Sequence, residues 1–241
     1  MALAPRSAEA HLAQAAYVGL AYADPSLELD LLEKARRLAP DDPEVLTAAA
    51  LVEQSLGRWD DTVAHLKRAE RLDPRSVLTK RRLALALLLL RRHGEALETI
   101  ELGRKIAPSS LVLVELKVVA HLALGDVAGA RTALDSVPPE VSADRLLAHL
   151  AGYQDLGWLF DDRRLRLLLE LPAAAFDGDR GTWGLRLSRA SSRAGDEARA
   201  RALAGEARRA FEEQLRASPD DPERLASLGL ALAYLGRAAE A

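Results

Sequence analysis

Between Pro43 and Ser76, apolar and small residues return three and four positions apart: Leu46, Ala49 and Ala50 before Gly57, then Thr62, Leu66, Ala69 and Leu72 after it. That spacing lays one stripe along each of two α-helices. With Gly57 between the stripes and Pro74 closing the second, the segment predicts a helical hairpin. The prolyl stop returns 34 residues to either side, at Pro40 and Pro108.

Taken in order, the boundary signals recur with the period. Residues 7–42 predict a first hairpin, with Ser7 as N-cap, a helix to about Tyr22, a turn at Ala23, Asp24 and Pro25, and a second helix from Ser26 to Leu38. Asp42 then caps the next helix, and Pro43 takes the first helical position, where a missing N–H costs nothing. Residues 77–110 repeat the unit behind Ser76. Their turn, RRHGE, has Arg91 where the neighbouring turn has glycine, and a glycine at Gly94. A fourth unit from Ser110 turns at Gly125 and Asp126 and is cut short by Pro138 and Pro139. Superposing the units gives a compact column, Ala16, Ala50, Ala84 and Val118, and a large core column, Leu32, Leu66, Ile100 and Leu134. Ala35, Ala69 and Gly103 form a third column of small residues facing the following unit.

These columns resemble the tetratricopeptide repeat (TPR), a 34-residue helix-turn-helix with a terminal proline. Residues 43–76 supply Leu46, Ala49, Ala50, Trp59, Thr62, Leu66, Ala69 and Pro74, and residues 222–241 supply Leu225, Leu228, Gly229 and the run GRAAEA. Departures are Glu53 and Leu87 where the family favours Tyr, and Thr62 where it favours Ala. The resemblance implies an all-α fold, a right-handed superhelix of antiparallel hairpins of TPR-like α-solenoid type. Regular hairpins are expected over 7–137, an irregular helical connector over 138–181, and a further TPR-like hairpin with an incomplete final repeat over 182–241.

The resemblance also implies a concave wall built by the first helix of each hairpin. Its residues here are Thr47, Leu51 and Gln54, then Leu78, Arg81, Leu85 and Leu88, then Val112, Glu115, Val119 and Leu122. TPR domains that grip the terminal carboxylate of heat-shock chaperones use a Lys and Asn cluster in this wall, which is absent. The expected ligand is therefore an apolar or amphipathic peptide or helix, held by hydrophobic anchors and oriented by Arg81 and Glu115. Occupation of the wall by the chain's own residues 138–180 is the competing expectation. The run from Asp179 to Arg237 is similar to the repeat tails of some bacterial multidomain serine/threonine kinases, implying a regulatory or docking tail of a larger signalling protein.

From Pro108 to Pro219 is 111 residues, nine more than three periods. Within this stretch the pattern predicts a helix from Ser142 to about Leu156, a break at Gly157, and a short helix capped by Asp161 or Asp162 and running through Glu170. A helical turn at Pro172–Phe176 and a loop, FDGDRG, follow. A helix from near Thr182 then turns at Gly195 and Asp196 into a long partner, Glu197 to Ala217. In the last helix Leu225, Leu228 and Leu232 are spaced to meet a partner helix. They predict that the chain is part of a longer protein, is capped by another chain, or self-associates there.

Composition narrows the chemistry. Hydrophobic residues make up 49% and aromatics 4%, a balance dominated by Ala and Leu that suits close helix packing. A net charge of −3 supplies no one-signed field to recruit nucleic acid or an anionic membrane. The longest uncharged apolar run, Leu83–Leu90, is far short of the roughly 20 residues a bilayer needs. No cysteine is present, so thiolate catalysis, disulfides and thiolate metal sites are excluded, and a cytoplasmic setting is expected.

His65, His93, His121 and His149 recur every 28 residues, out of step with the 34-residue period, and so are not expected to converge on a metal. Asp177 and Asp179 resemble the start of a calcium loop but lack its later ligands, which predicts a solvated loop. The acid pairs Asp41–Asp42, Asp161–Asp162 and Asp220–Asp221 each precede a predicted helix and read as caps. No enzyme and no cofactor are expected. The Arg pairs 81/82 and 91/92 read as solvated helix faces, and Trp59, Trp158 and Trp183 as packed residues.

Overall fold

A computed structural model describes residues 7–152 and 156–240, and every regular element among them is helical. The contacts divide the chain into two compact units, residues 1–138 and 139–241.

The first unit comprises four helical hairpins: α1 (Ala8–Tyr22) with α2 (Pro25–Leu38), α3 (Pro43–Ser55) with α4 (Trp59–Leu72), α5 (Val77–Leu89) with α6 (His93–Ile106), and α7 (Leu111–Ala123) with α8 (Val127–Asp135). Each hairpin packs on the next, and first helices also touch, α1 on α3 and α5 on α7. The caps follow the sequence. Ser7, Asp24, Asp42 and Ser76 accept hydrogen bonds from first-turn amides, and Pro25 and Pro43 sit at first helical positions.

The core column Leu32, Leu66, Ile100 and Leu134 is fully enclosed, as is the small column Ala35, Ala69 and Gly103. A Cβ on Gly103 would stand 3.0 Å from Leu113 of the next hairpin, so that column is the close-approach side of each hairpin. In the compact column Ala50, Ala84 and Val118 are buried, but Ala16 is exposed. Among the described residues no helix precedes α1 to cover its face. Between hairpins, Lys80 is almost wholly buried and donates to Glu70 at 2.8 Å. Lys67 reaches Glu95 at 2.9 Å.

The turns share one backbone solution. The residue that leaves each first helix adopts a left-handed conformation at Ala23 (φ 48°), Gly57 (74°), Arg91 (59°) and Gly125 (73°), every 34 residues. The third turn therefore bends at Arg91 itself, and Gly94 lies inside α6.

The second unit begins with α9 (Ala143–Gly152), a 3₁₀ turn at Leu156–Leu159, α10 (Asp162–Glu170) capped by Asp161, and a second 3₁₀ turn at Ala173–Phe176. The expected continuation of the first of these helices over 153–155 lies outside the described residues. A hairpin of α11 (Arg180–Arg193) and α12 (Glu197–Ala217) follows, then α13 (Pro222–Tyr234). Gly184 brings α11 against α12, where a Cβ would lie 3.0 Å from the Leu203 carbonyl oxygen. The Ser188 hydroxyl donates to the Ala200 carbonyl at 2.8 Å. Leu232 is already buried by its own unit and Leu228 packs beside Phe211, so of the three leucines expected to await a partner only Leu225 is well exposed.

The nine surplus residues now have an address. α12 has 21 residues where α2, α4 and α6 have 14, and Gly195 follows Gly125 by 70 residues, two more than two periods.

Candidate peptide-binding wall

The wall expected from the TPR resemblance falls on α3, α5 and α7, where the 34-residue period places Leu51, Leu85 and Val119 at one equivalent position. Leu51 and Leu85 are 40% and 39% exposed, and Leu78, one turn from Arg81, is 45% exposed. Val119, Val112 and Leu122 are half-buried, as is Gln54, and Arg81 is exposed. Tyr17 stands at the same position of α1 and is exposed, a member of the series outside the set expected from the sequence. Its ring meets Tyr22 edge-on, with centroids 5.9 Å apart.

Three expected wall residues are not surface residues. Thr47 is buried and its hydroxyl donates to the Pro43 carbonyl at 2.6 Å, a bond within its own helix. Leu88 belongs to the core cluster formed around Leu83, Leu87 and Ile100. Glu115 is buried, so it cannot orient a ligand. The physical reason is common to all three. Three-and-four spacing fixes the face of a helix, but the neighbouring hairpin decides how deep that face lies.

The paired arginines also divide. Arg81 faces solvent, whereas Arg82 is half-buried and directs Nη1 to the Thr47 carbonyl at 3.5 Å. Burial, and then the like charge of Arg81, lower the Arg82 pKa. Arg92 forks onto Glu95 at 2.6 and 2.7 Å, and with Lys67 it holds the Glu95 carboxyl down to about 2.

Other candidate chemistry resolves into structure. His65 pairs with Glu53 at 2.8 Å and His121 with Asp126 at 2.9 Å. Among the described residues no three His, Asp or Glu side chains are gathered to hold a metal. Asp179 is not a solvated loop residue. It caps α11 through the Gly181 and Thr182 amides and accepts from Gln214 Nε2 at 2.9 Å and Arg224 Nη1 at 2.8 Å. Trp183 is half-buried and donates to the Leu171 carbonyl at 2.8 Å, but Trp158, expected to be packed, is 49% exposed. No helix among the described residues is long and apolar enough to cross a membrane.

No protein-family model matches the chain, and no curated relative matches it. Solved structures do. The chain aligns over 94% of its length with 99% of TTC0263, a thermophilic TPR protein of Thermus thermophilus, at 17% identity and a TM-score of 0.55. It aligns over 95% of its length with 44% of a chain from the APC/C hetero-tetramer Cut9–Hcn1, at 16% identity and a TM-score of 0.58. MamA 41-end from Desulfovibrio magneticus RS-1 is similar over 89% of this chain and 97% of its own, at 16% identity and a TM-score of 0.50. The kinase-tail resemblance rests on sequence alone. At these identities the likeness concerns architecture, and the chain has the fold of a TPR-like helical solenoid.

Proposed function

We propose that the chain is a non-catalytic protein-interaction module whose first unit holds an apolar or amphipathic peptide or helix along the first helices of its hairpins. One observation supports this reading above the rest. Leucines at equivalent, period-related positions on the first helices, Leu51 and Leu85, stay 40% and 39% exposed, with Leu78 exposed and Val119 half-buried beside them. Regularly spaced apolar anchors are what a helix presenting side chains at i, i+3 and i+7 can engage. Arg81 adds one exposed positive charge beside Leu78 and Leu85, favouring a ligand with an acidic residue next to its anchors. The solved neighbours add a consistent setting, since one is a chain of a hetero-tetramer.

The test is selection of a displayed random-peptide library on the full chain, with the Leu85→Glu/Val119→Glu variant as counter-target. The reading expects enriched peptides with apolar residues at helical spacing, lost on the variant while its circular dichroism is unchanged. Enrichment of purely charged peptides, or equal capture by the variant, would sink it. Self-association through α13 is a second reading, favoured by the exposure of Leu225 and Leu230. A single monomeric mass across a hundredfold concentration range would dismiss it.

A further inference from the structure

Along α5 the apolar and basic side chains sort into three strips. At about 100° per residue, Leu85 and Leu89 fall within about 20° of Leu78, one to either side. Arg81 stands about 60° to one side of that line and Arg82 about 40° to the other. The leucines are all exposed, at 45%, 39% and 55% for Leu78, Leu85 and Leu89. Arg81 is exposed and Arg82 half-buried. One helix thus presents an apolar stripe with a guanidinium group on each flank.

The two arginines carry charge that the protein does not neutralise. α5 has no acidic residue, and Lys80, its third cation, is already paired with the Glu70 carboxylate. Among the described residues neither Arg81 nor Arg82 forms a salt bridge. The hydrogen bond of Arg82 goes to the Thr47 carbonyl of α3 at 3.5 Å, a long contact for a side chain with five N–H donors. Burial and the like charge of Arg81 push the Arg82 pKa down, the direction expected of a cation without an anion beside it. The Thr47 contact also sets the handedness: Arg82 borders the stripe on the side of α3, and Arg81 borders it on the other. At the equivalent positions α1, α3 and α7 carry no basic residue, so the charged border belongs to the middle of the wall.

We infer that α5 is the specificity-determining centre of the wall and that its partner is an acidic amphipathic helix, an apolar stripe bordered on both sides by Asp or Glu. The inference rests on the peptide-binding reading above and names the ligand which that wall selects. The partner's apolar face covers Leu78, Leu85 and Leu89, and its carboxylates take the planar forks of Arg81 and Arg82. Charge complementarity commits the wall to this occupant. A neutral helix would bury Arg82 further without an anion, and a basic helix, or α5 of a second copy, would set like charges against both arginines.

Fluorescence anisotropy of the full chain with three labelled 18-residue helical peptides tests this, each acetylated and amidated so that no terminal carboxylate takes part. They share a leucine stripe at i, i+3, i+7, i+10 and i+14 and differ only at the flanking positions, which are Glu, Gln or Lys. The Glu peptide is expected to bind ten-fold or more tightly than the Gln peptide and to weaken in added salt, and the Lys peptide to bind least. Arg81→Gln and Arg82→Gln should each weaken the Glu peptide three-fold or more and leave the Gln peptide unchanged, the second result showing that the wall is intact. Leu85→Glu should abolish binding of the Glu and Gln peptides alike. Equal binding of Glu and Gln peptides, both lost in Leu85→Glu, would overturn this inference and leave the wall standing, as would a Glu preference kept in Arg81→Gln/Arg82→Gln. No binding of any peptide, or binding untouched by Leu85→Glu, would overturn both.

Discussion

Arg224 Nη1 lies 2.8 Å from Asp179 Oδ2, joining the first turn of α13 to the cap of α11 across 45 residues of sequence. Gln214 of α12 donates to the other oxygen of the same carboxylate, so one side chain gathers three helices. Burial pushes the Asp179 pKa up, but hydrogen bonds from Arg224, Gln214 and Thr182 outweigh it and hold the carboxyl well below the ordinary range. Because the folded pKa lies below the unfolded one, this contribution is complete above the unfolded carboxylate pKa of about 4 and drains away as pH falls. Asp179→Ala should destabilise the second unit by about 2 to 4 kcal/mol at pH 7 through the lost cap and charge-assisted bonds. It should also flatten the acid limb of stability, and urea unfolding followed through Trp183 reads both effects. An acid limb as steep as in the parent chain would refute the assignment.

Glu53 is wholly buried and has His65 as its partner at 2.8 Å. Breaking a buried pair from one side strands a carboxylate, at about 3 to 5 kcal/mol, whereas replacing both partners is often neutral. The following hairpin already carries the apolar version, with Leu87 and Thr99 at the equivalent positions. His65→Thr alone should therefore lower stability by about 3 kcal/mol, and Glu53→Leu/His65→Thr should restore most of it. Additive losses in a double-mutant cycle would show that the two residues are not coupled.

Ala23 and Arg91 occupy turns whose left-handed backbone suits glycine. Non-glycine residues there carry strain of about 1 to 3 kcal/mol, part of which a glycine returns as unfolded-state entropy. Arg91→Gly should stabilise the first unit by about 1 kcal/mol, and Gly57→Ala should destabilise it by a similar amount. Thermal unfolding checks both signs.

A Cβ on Gly181 would stand 2.5 and 2.7 Å from the Phe211 ring, and that ring is fully buried. Gly181→Ala is expected to cost about 1 to 3 kcal/mol by overpacking. Adding Phe211→Leu should recover part of the loss, measured as a denaturant midpoint. No loss in the single variant would mean that α11 and α12 separate freely.

How far the sequence reached depended on the kind of residue. Leu32, Leu66, Ile100 and Leu134 were legible as core because a large apolar residue repeated at one phase has a single economical place in a hairpin stack. The caps at Asp42 and Ser76 were legible because their function is local, and the cap of α10 was narrowed to Asp161 or Asp162. Glu115, Leu88 and Thr47 were misplaced because their burial depends on the adjacent hairpin rather than on their own helix. Trp158 was expected to pack by its chemistry, but the turn at Gly157 sets its direction, and a side chain's nature does not encode that. Asp179 read as a loop residue since its partners, Gln214 and Arg224, are 35 and 45 residues away.

The lengthened α12 has a consequence for how such a chain can change in size. Seven added residues rotate the helix by about 700°, some 20° short of two full turns, while advancing it about 10 Å. The inward face is thus kept in phase, and the added stretch from residue 211 supplies Phe211 to the core and Gln214 to Asp179. An extension of five would keep Phe211 and Gln214 in place but would start the turn into α13 about 140° out of phase. Edits to this architecture are quantised: whole pairs of turns pass as silent changes in length, and intermediate lengths scramble what each helix shows its neighbours.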